Sequence, residues 1–359
     1  MQASSGEGSR DETGAALPER GGGHPRAGSG TDLARIWPGF APLKFALFDA
    51  ERCFFDGRYI EKTDDFCANT AISYQGETIA TWRVEGELSL PVLVSKLVHE
   101  MFHGFQRLQG WDCWADELEA LNRYEYSAEA LSLKLRENAL LCALLAAPAE
   151  RDYRELLAHR RRRSEQFPYE TGYESRVEEI EGSATYVEWM VLQQLDAAKA
   201  KGFTDRMCRS VTDPKALLPI RISCYDTGAL LFHAMAAAGD DPFTPAARPA
   251  ILTVQKSVPP SDGAFPGKAV CMQAAADAIN AYQQTSAAMV RAALDKHAVA
   301  LEGPAELLGL NIYDARRVGN ALTSRYFLMV RQDGAEKTLY GDFVIQMLDE
   351  RTVGRVYRM

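Results

Sequence analysis

The strongest constraint on the fold is a run of apolar residues at three-to-four spacing that begins just after Pro91. The recurring residues are Leu93, Leu97, Val98, Met101, Phe102 and Phe105, and the pattern continues to about Gln109. This period places them along one side of an α-helix, and a proline is tolerated in the first helical turn. The segment therefore predicts an amphipathic helix that packs against a core.

That helix carries the sequence His99-Glu100-Met101-Phe102-His103. Four residues are just over one helical turn, so both imidazoles project from one face and can bind a single Zn²⁺ at about 2.0–2.1 Å. Glu100 is then angled toward the open position of the metal. The alternative is a helix with two ordinary histidines, although burying two unpaired imidazoles in an apolar stripe costs free energy.

The patterns on either side of this helix predict an α+β fold with four regions. We expect a disordered tail over residues 1–31, which contain almost no large apolar residues, and a small β-sheet within 32–90, where short β-branched runs alternate with turns. Helical periodicity dominates residues 91–308. Residues 309–359 return to strand patterns and predict a β-hairpin or three-stranded meander.

Composition narrows the classes of partner. The chain of 359 residues is 47% hydrophobic and 25% charged, as in ordinary globular proteins, and carries a net charge of −9. This net negative charge disfavours binding to the phosphate backbone of nucleic acids. We interpret the basic run Arg160 to Arg163 as a solvated helix face. No apolar stretch is long enough to span a membrane, no secretory signal is visible, and the seven scattered cysteines fit reduced thiols. We expect a cytoplasmic protein.

A catalytic zinc site needs a third protein ligand. The acidic segment from Glu178 to Glu188 can supply one, since residues 181, 184, 185 and 188 fall on one helical face. The segment also fits a surface helix with solvated carboxylates.

These motifs together resemble the gluzincin metallopeptidases, especially the aminopeptidase type. The resemblance rests on the His-Glu-x-x-His sequence, on Glu181-Gly-Ser-Ala-Thr-Tyr-Val-Glu188 and on Tyr225-Asp-Thr-Gly-Ala229. It implies a zincin-like helical block, one Zn²⁺ per chain held by His99, His103 and Glu181, and Tyr225 as the donor that stabilises the oxyanion. The 77 residues between His103 and Glu181 imply a helical insertion over about 112–168.

On this hypothesis Glu100 is the general base for hydrolysis of a peptide bond. Each zinc-binding imidazole is expected to donate its second ring N–H to a carboxylate; Glu188 is the candidate for one contact, with Thr185 beside it. The strand near Thr78 to Val84 is expected to be an edge strand that pairs with an extended substrate. The tryptophans Trp82, Trp111 and Trp114 fit either subsites or packing.

Two other functions fit the same residues. One is a catalytically silent binding or regulatory protein on a zincin-like fold, and the other is a hydrolase of small amides or esters. The expected partner is a peptide or small protein substrate, with no nucleic acid or membrane. The sequence makes no prediction of the oligomeric state.

Overall fold

The computed structural model describes residues 31–86, 88–243 and 249–359. All but the last residue of the predicted tail, 1–31, lies outside these ranges. The α+β class is confirmed: along the chain, a small sheet comes first, a run of mainly helical elements follows, and an antiparallel sheet comes last. The chain divides into two compact units, residues 1–111 with 184–204 and residues 112–183 with 205–359.

The first unit contains a five-stranded sheet in the order β3-β2-β1-β5-β4, in which β1 and β5 run parallel and the other pairs are antiparallel. Its elements are α1 (Leu33–Ile36), β1 (Lys44–Phe48), β2 (Cys53–Phe55), β3 (Arg58–Ile60), β4 (Thr70–Tyr74), β5 (Glu77–Arg83) and α2 (Leu90–Leu108), followed later by most of α7 (Ser183–Leu195) and the first half of α8 (Ala197–Thr212).

Helix α2 confirms the predicted amphipathic helix almost to the residue. Pro91 occupies its first turn, and Gly110, just beyond its end, adopts the left-handed conformation that terminates helices. Leu93 and Leu97 pack against Leu47 and Phe54 of the sheet. The helix is therefore held by the apolar stripe that predicted it.

The second unit joins helices to a seven-stranded antiparallel sheet in the order β10-β9-β6-β12-β11-β8-β7. Its helices are α3 (Glu117–Arg123), α4 (Ala128–Ala146), α5 (Glu150–Gln166), α6 (Pro168–Val177), a π-helical segment (Glu178–Gly182), the second half of α8, α9 (Ile220–Ala238), α10 (Ala250–Val254), a 3₁₀ turn (Gln255–Ser257) and α11 (Lys268–Lys296). Its strands are β6 (Val299–Leu310), β7 (Arg317–Val318), β8 (Ala321–Ser324), β9 (Phe327–Gln332), β10 (Ala335–Tyr340), β11 (Phe343–Met347) and β12 (Thr352–Arg358).

The C-terminal sheet starts at Val299, ten residues before the predicted boundary, and has more strands than the predicted hairpin or meander. Val290 and Ala293 of α11 pack against Val344 and Tyr357 of this sheet. Among the described residues, no helix combines the length and apolar character needed to cross a bilayer.

Candidate metal and catalytic site

His99 and His103 are buried on α2, and their Nε2 atoms lie 3.2 Å apart. Two nitrogen ligands at 2.0–2.1 Å from a tetrahedral zinc stand about 3.3 Å from each other. The two imidazoles therefore already have the separation that one zinc ion requires. Glu100, between them in the sequence, is also buried.

The other ring nitrogens face oxygen atoms of side chains within the first unit. Nδ1 of His99 lies 3.1 Å from Oε2 of Glu188, and Nδ1 of His103 lies 2.8 Å from Oε1 of Gln106. If each Nδ1 donates its proton to these oxygen acceptors, both Nε2 atoms carry lone pairs directed to the same region. A bound cation relieves that repulsion, so these residues fit a metal.

Glu188 is suited to this contact because it stays ionised. Burial alone would raise its pKa, but the hydrogen bond with His99 and the charge of Lys96 lower that pKa to about 2. Nζ of Lys96 lies 3.3 Å from the second carboxylate oxygen, Oε1, and also lies over the Trp82 ring. The expected carboxylate for His103 is replaced by the amide of Gln106, which the sequence analysis missed.

Glu181 lies in the π-helical segment of the second unit, where its Oε1 accepts a hydrogen bond from Nη2 of Arg221 at 3.0 Å. Nη1 of Arg221 donates to the Tyr225 hydroxyl at 2.6 Å, and its Nε donates to Oε1 of Glu117 at 2.9 Å. Arg221 thereby joins the predicted third ligand to the predicted oxyanion donor. Burial, reinforced by the negative charge of Glu181, raises the pKa of Tyr225 well above its usual range, so its hydroxyl keeps its proton.

The π-helical segment is fixed by contacts on several sides. Thr227 donates a hydrogen bond to Glu178, and the backbone N–H of Ala250 donates to Glu179 at 3.0 Å. Gly182 lies so close to Gly228 of α9 that a side chain on either glycine would overlap the backbone of the other helix. The glycine in the Tyr225-x-x-Gly-Ala motif thus serves a close helix contact.

Behind this segment lies a fully buried ionic cluster, which we call the six-charge cluster: the cations Lys134, Arg160 and Arg163 with the carboxylates Glu137, Glu174 and Glu178, every side chain at most 2% exposed. Three positive charges balance three negative ones. The interpretation of Arg160 to Arg163 as a solvated face is therefore wrong for Arg160 and Arg163, because they point into this cluster.

Glu174, Glu178 and Cys224 form a second group of metal-ligand type, with atoms within 4.8 Å of one another. Lys134 Nζ lies 2.7 Å from Glu174 and 3.2 Å from Glu178. An ammonium group already occupies the position that a cation would take, so this group does not fit a metal site.

The remaining segments and residues considered in the sequence analysis have structural contacts. Thr185, which was expected beside Glu188, is buried on α7. Strand β5 is paired on both sides, with β1 and β4, so the expectation that it is an edge strand is wrong. Trp111 is buried against Trp37, whereas Trp114 is partly exposed.

Comparison of this chain with models of protein families, with curated proteins and with solved structures found no match.

Proposed function

We propose that this protein is a zinc-dependent metallopeptidase of the gluzincin type, with one Zn²⁺ held by His99, His103 and Glu181. The observation that carries the proposal is the 3.2 Å separation of the two Nε2 atoms, each on a ring whose Nδ1 faces an oxygen acceptor. Carboxylates that orient zinc-binding imidazoles recur in zinc enzymes. Each of the three proposed residues offers one ligand atom of a type that zinc accepts.

The choice of Glu181 is supported by its place on a continuous helical run. The π-helical segment passes directly into α7, so Glu181 precedes Glu188 by seven residues, or about two turns. Glu188 in turn contacts His99. Arg221 donates a hydrogen bond to Oε1 of Glu181, and we assign a carboxylate oxygen of Glu181 as the third ligand atom.

Bound zinc would polarise the carbonyl of the scissile bond and lower the pKa of a water molecule. Glu100 takes a proton from the attacking water and delivers it to the leaving amine. Tyr225 donates a hydrogen bond to the developing oxyanion, and Arg221 orients its hydroxyl. The substrate is a peptide or small protein, and we place the reaction in the cytoplasm.

The test begins with elemental analysis of purified protein. We expect about one zinc per chain, lost in His103→Ala and Glu181→Ala and retained in the control Glu150→Ala, whose carboxylate is exposed. A wild-type protein that takes up no zinc would overturn the proposal.

The second arm measures turnover of a peptide library. We expect Glu100→Gln to keep zinc and to lose roughly 100- to 10,000-fold in kcat. Zinc binding without any turnover would instead indicate the silent binding protein. Turnover of small amides or esters but not of peptides would indicate the alternative hydrolase.

A further inference from the structure

A cavity of about 40 Å³ opens in the second unit beside Arg221. Its walls come from α3, from the segment that follows α3, from α6, from the start of α9 and from the chain after β6. The residues that define its character are Leu121, Tyr124, Tyr126, Tyr173, Ile312 and Arg221.

The polar groups in the wall are already engaged with the protein. Glu117 accepts from Nε of Arg221 through one oxygen and from the Tyr173 hydroxyl, at 2.7 Å, through the other. Tyr124 donates to Glu174, and the Tyr126 hydroxyl accepts from the backbone N–H of Ile220. What remains for a ligand is aromatic ring surface and aliphatic side chain, so the cavity favours an apolar, uncharged group.

The size of the cavity limits that group further. A volume of about 40 Å³ exceeds the space one water needs, about 10–15 Å³, but is well below the roughly 150 Å³ cavity that accepts benzene. A short branched aliphatic group fits this space, whereas an aromatic ring does not.

Arg221 connects the cavity to the proposed chemistry. Its side chain forms part of the cavity wall, and its guanidinium contacts both Glu181 and Tyr225. We propose that the cavity is a specificity pocket that receives a valine-sized aliphatic side chain of the bound peptide. This inference rests on the proposed function, because it names the substrate class of the same site.

The first test measures binding, which does not depend on turnover. Zinc-loaded protein is titrated by NMR with N-acetyl-valinamide, N-acetyl-glycinamide and N-acetyl-phenylalaninamide. We expect the valine compound to bind at least about fivefold more tightly than the glycine compound, because its buried methyl groups leave water. Equal affinity for all three compounds would overturn the proposal.

Variants of the wall locate the binding. Leu121→Phe and, from a different segment of the wall, Ile312→Phe fill the cavity and should abolish the preference for valine. Leu121→Ala enlarges it and should improve phenylalanine binding. Leu118→Phe is the control, since Leu118 packs against the C-terminal sheet as Leu121 and Ile312 do but does not line the cavity. Circular dichroism checks that both filled variants are folded. If they are folded and the order of affinities for the three compounds is unchanged, the proposed specificity pocket is overturned.

Cleavage of a peptide library separates this inference from the proposed function. Hydrolysis that shows no preference for short aliphatic residues would overturn the pocket and leave the peptidase standing. Selective binding of the valine compound without hydrolysis of any peptide would support the pocket and overturn the peptidase.

Discussion

Glu188 Oε2 lies 3.1 Å from Nδ1 of His99, and Lys96 Nζ lies 3.3 Å from the other oxygen of the same carboxylate. Each oxygen of the carboxylate thus faces a nitrogen atom, and one of these belongs to the histidine ring. Because the orientation and basicity of an imidazole depend on such a partner, Glu188 should tune metal affinity without touching the metal.

The first prediction concerns Glu188→Gln. We expect zinc affinity to fall roughly 10- to 100-fold, because the amide is a weaker acceptor for the His99 N–H. Competition with a chromogenic chelator measures the change. Lys96→Met, which spares the contact with His99, is the matched control and should cost less. Equal affinity in Glu188→Gln and wild type would contradict the assigned role.

The second prediction concerns the six-charge cluster. Lys134→Met leaves Glu174 and Glu178 with too little positive charge in a buried setting, and we expect it to lower the free energy of unfolding by about 3–5 kcal/mol. Arg154→Met on α5, whose pair with Glu150 is solvent exposed, should change it by less than about 1 kcal/mol. Urea unfolding followed by circular dichroism measures both; similar losses would refute the argument from burial.

The third prediction is a loss of stability in acid. Burial would raise the pKa of Glu174, but Arg163 and Lys134 lower that pKa from 4.5 to about 2. Because the folded-state pKa is the lower one, the stabilisation is complete above the unfolded-state value and disappears as pH falls from about 4.5 toward 2. We expect a loss on the order of 3 kcal/mol from this group.

Urea titrations between pH 6 and pH 2 measure that loss. Glu174→Gln is less stable at pH 6 but should show a shallower decline with acid, since the group that titrates is gone. A decline as steep as that of the wild type would show that other carboxylates dominate the acid response.

The fourth prediction compares two glycines. Gly182→Ala places a methyl group into the backbone at Gly228, and we expect it to lower stability by about 1–3 kcal/mol and to weaken zinc binding by displacing Glu181. Gly172→Ala is the control: it lies within α6 with open space around it and should be neutral or stabilising. Thermal unfolding and zinc titration of both variants measure these two effects. Unchanged stability and zinc affinity in Gly182→Ala would contradict the close contact.

Local patterns predicted the parts of the candidate site that one helix determines. The apolar stripe of α2 and the spacing of His99 and His103 sufficed to orient two imidazoles, because a helix has a fixed period. Gln106 was missed even though it lies three residues after His103 on the same helix. A polar residue at a position buried beside the histidines was the signal that could have identified it.

The wrong predictions concern contacts between segments that are far apart in the sequence. The basic run Arg160 to Arg163 looks solvated because its neutralising carboxylates lie on other helices, at Glu137, Glu174 and Glu178. The resemblance to zinc peptidases implied an edge strand, whereas β5 pairs with β4 on one side and, on the other, with β1, whose paired residues lie 35 positions earlier in the sequence. Charge balance and strand order depend on tertiary contacts, which no single segment encodes.

The π-helical segment at Glu178–Gly182 amounts to one residue more than an α-helix would need at this point. Deleting one residue before Glu181, within Glu178 to Ile180, would restore regular α-helical winding and turn Glu181 by about 100° relative to α6. Glu181 and its motif would survive in the sequence, and a motif search would still find them. The direction of Glu181 from α6 would be lost, so the length of this segment constrains the chain as strictly as the identity of its residues.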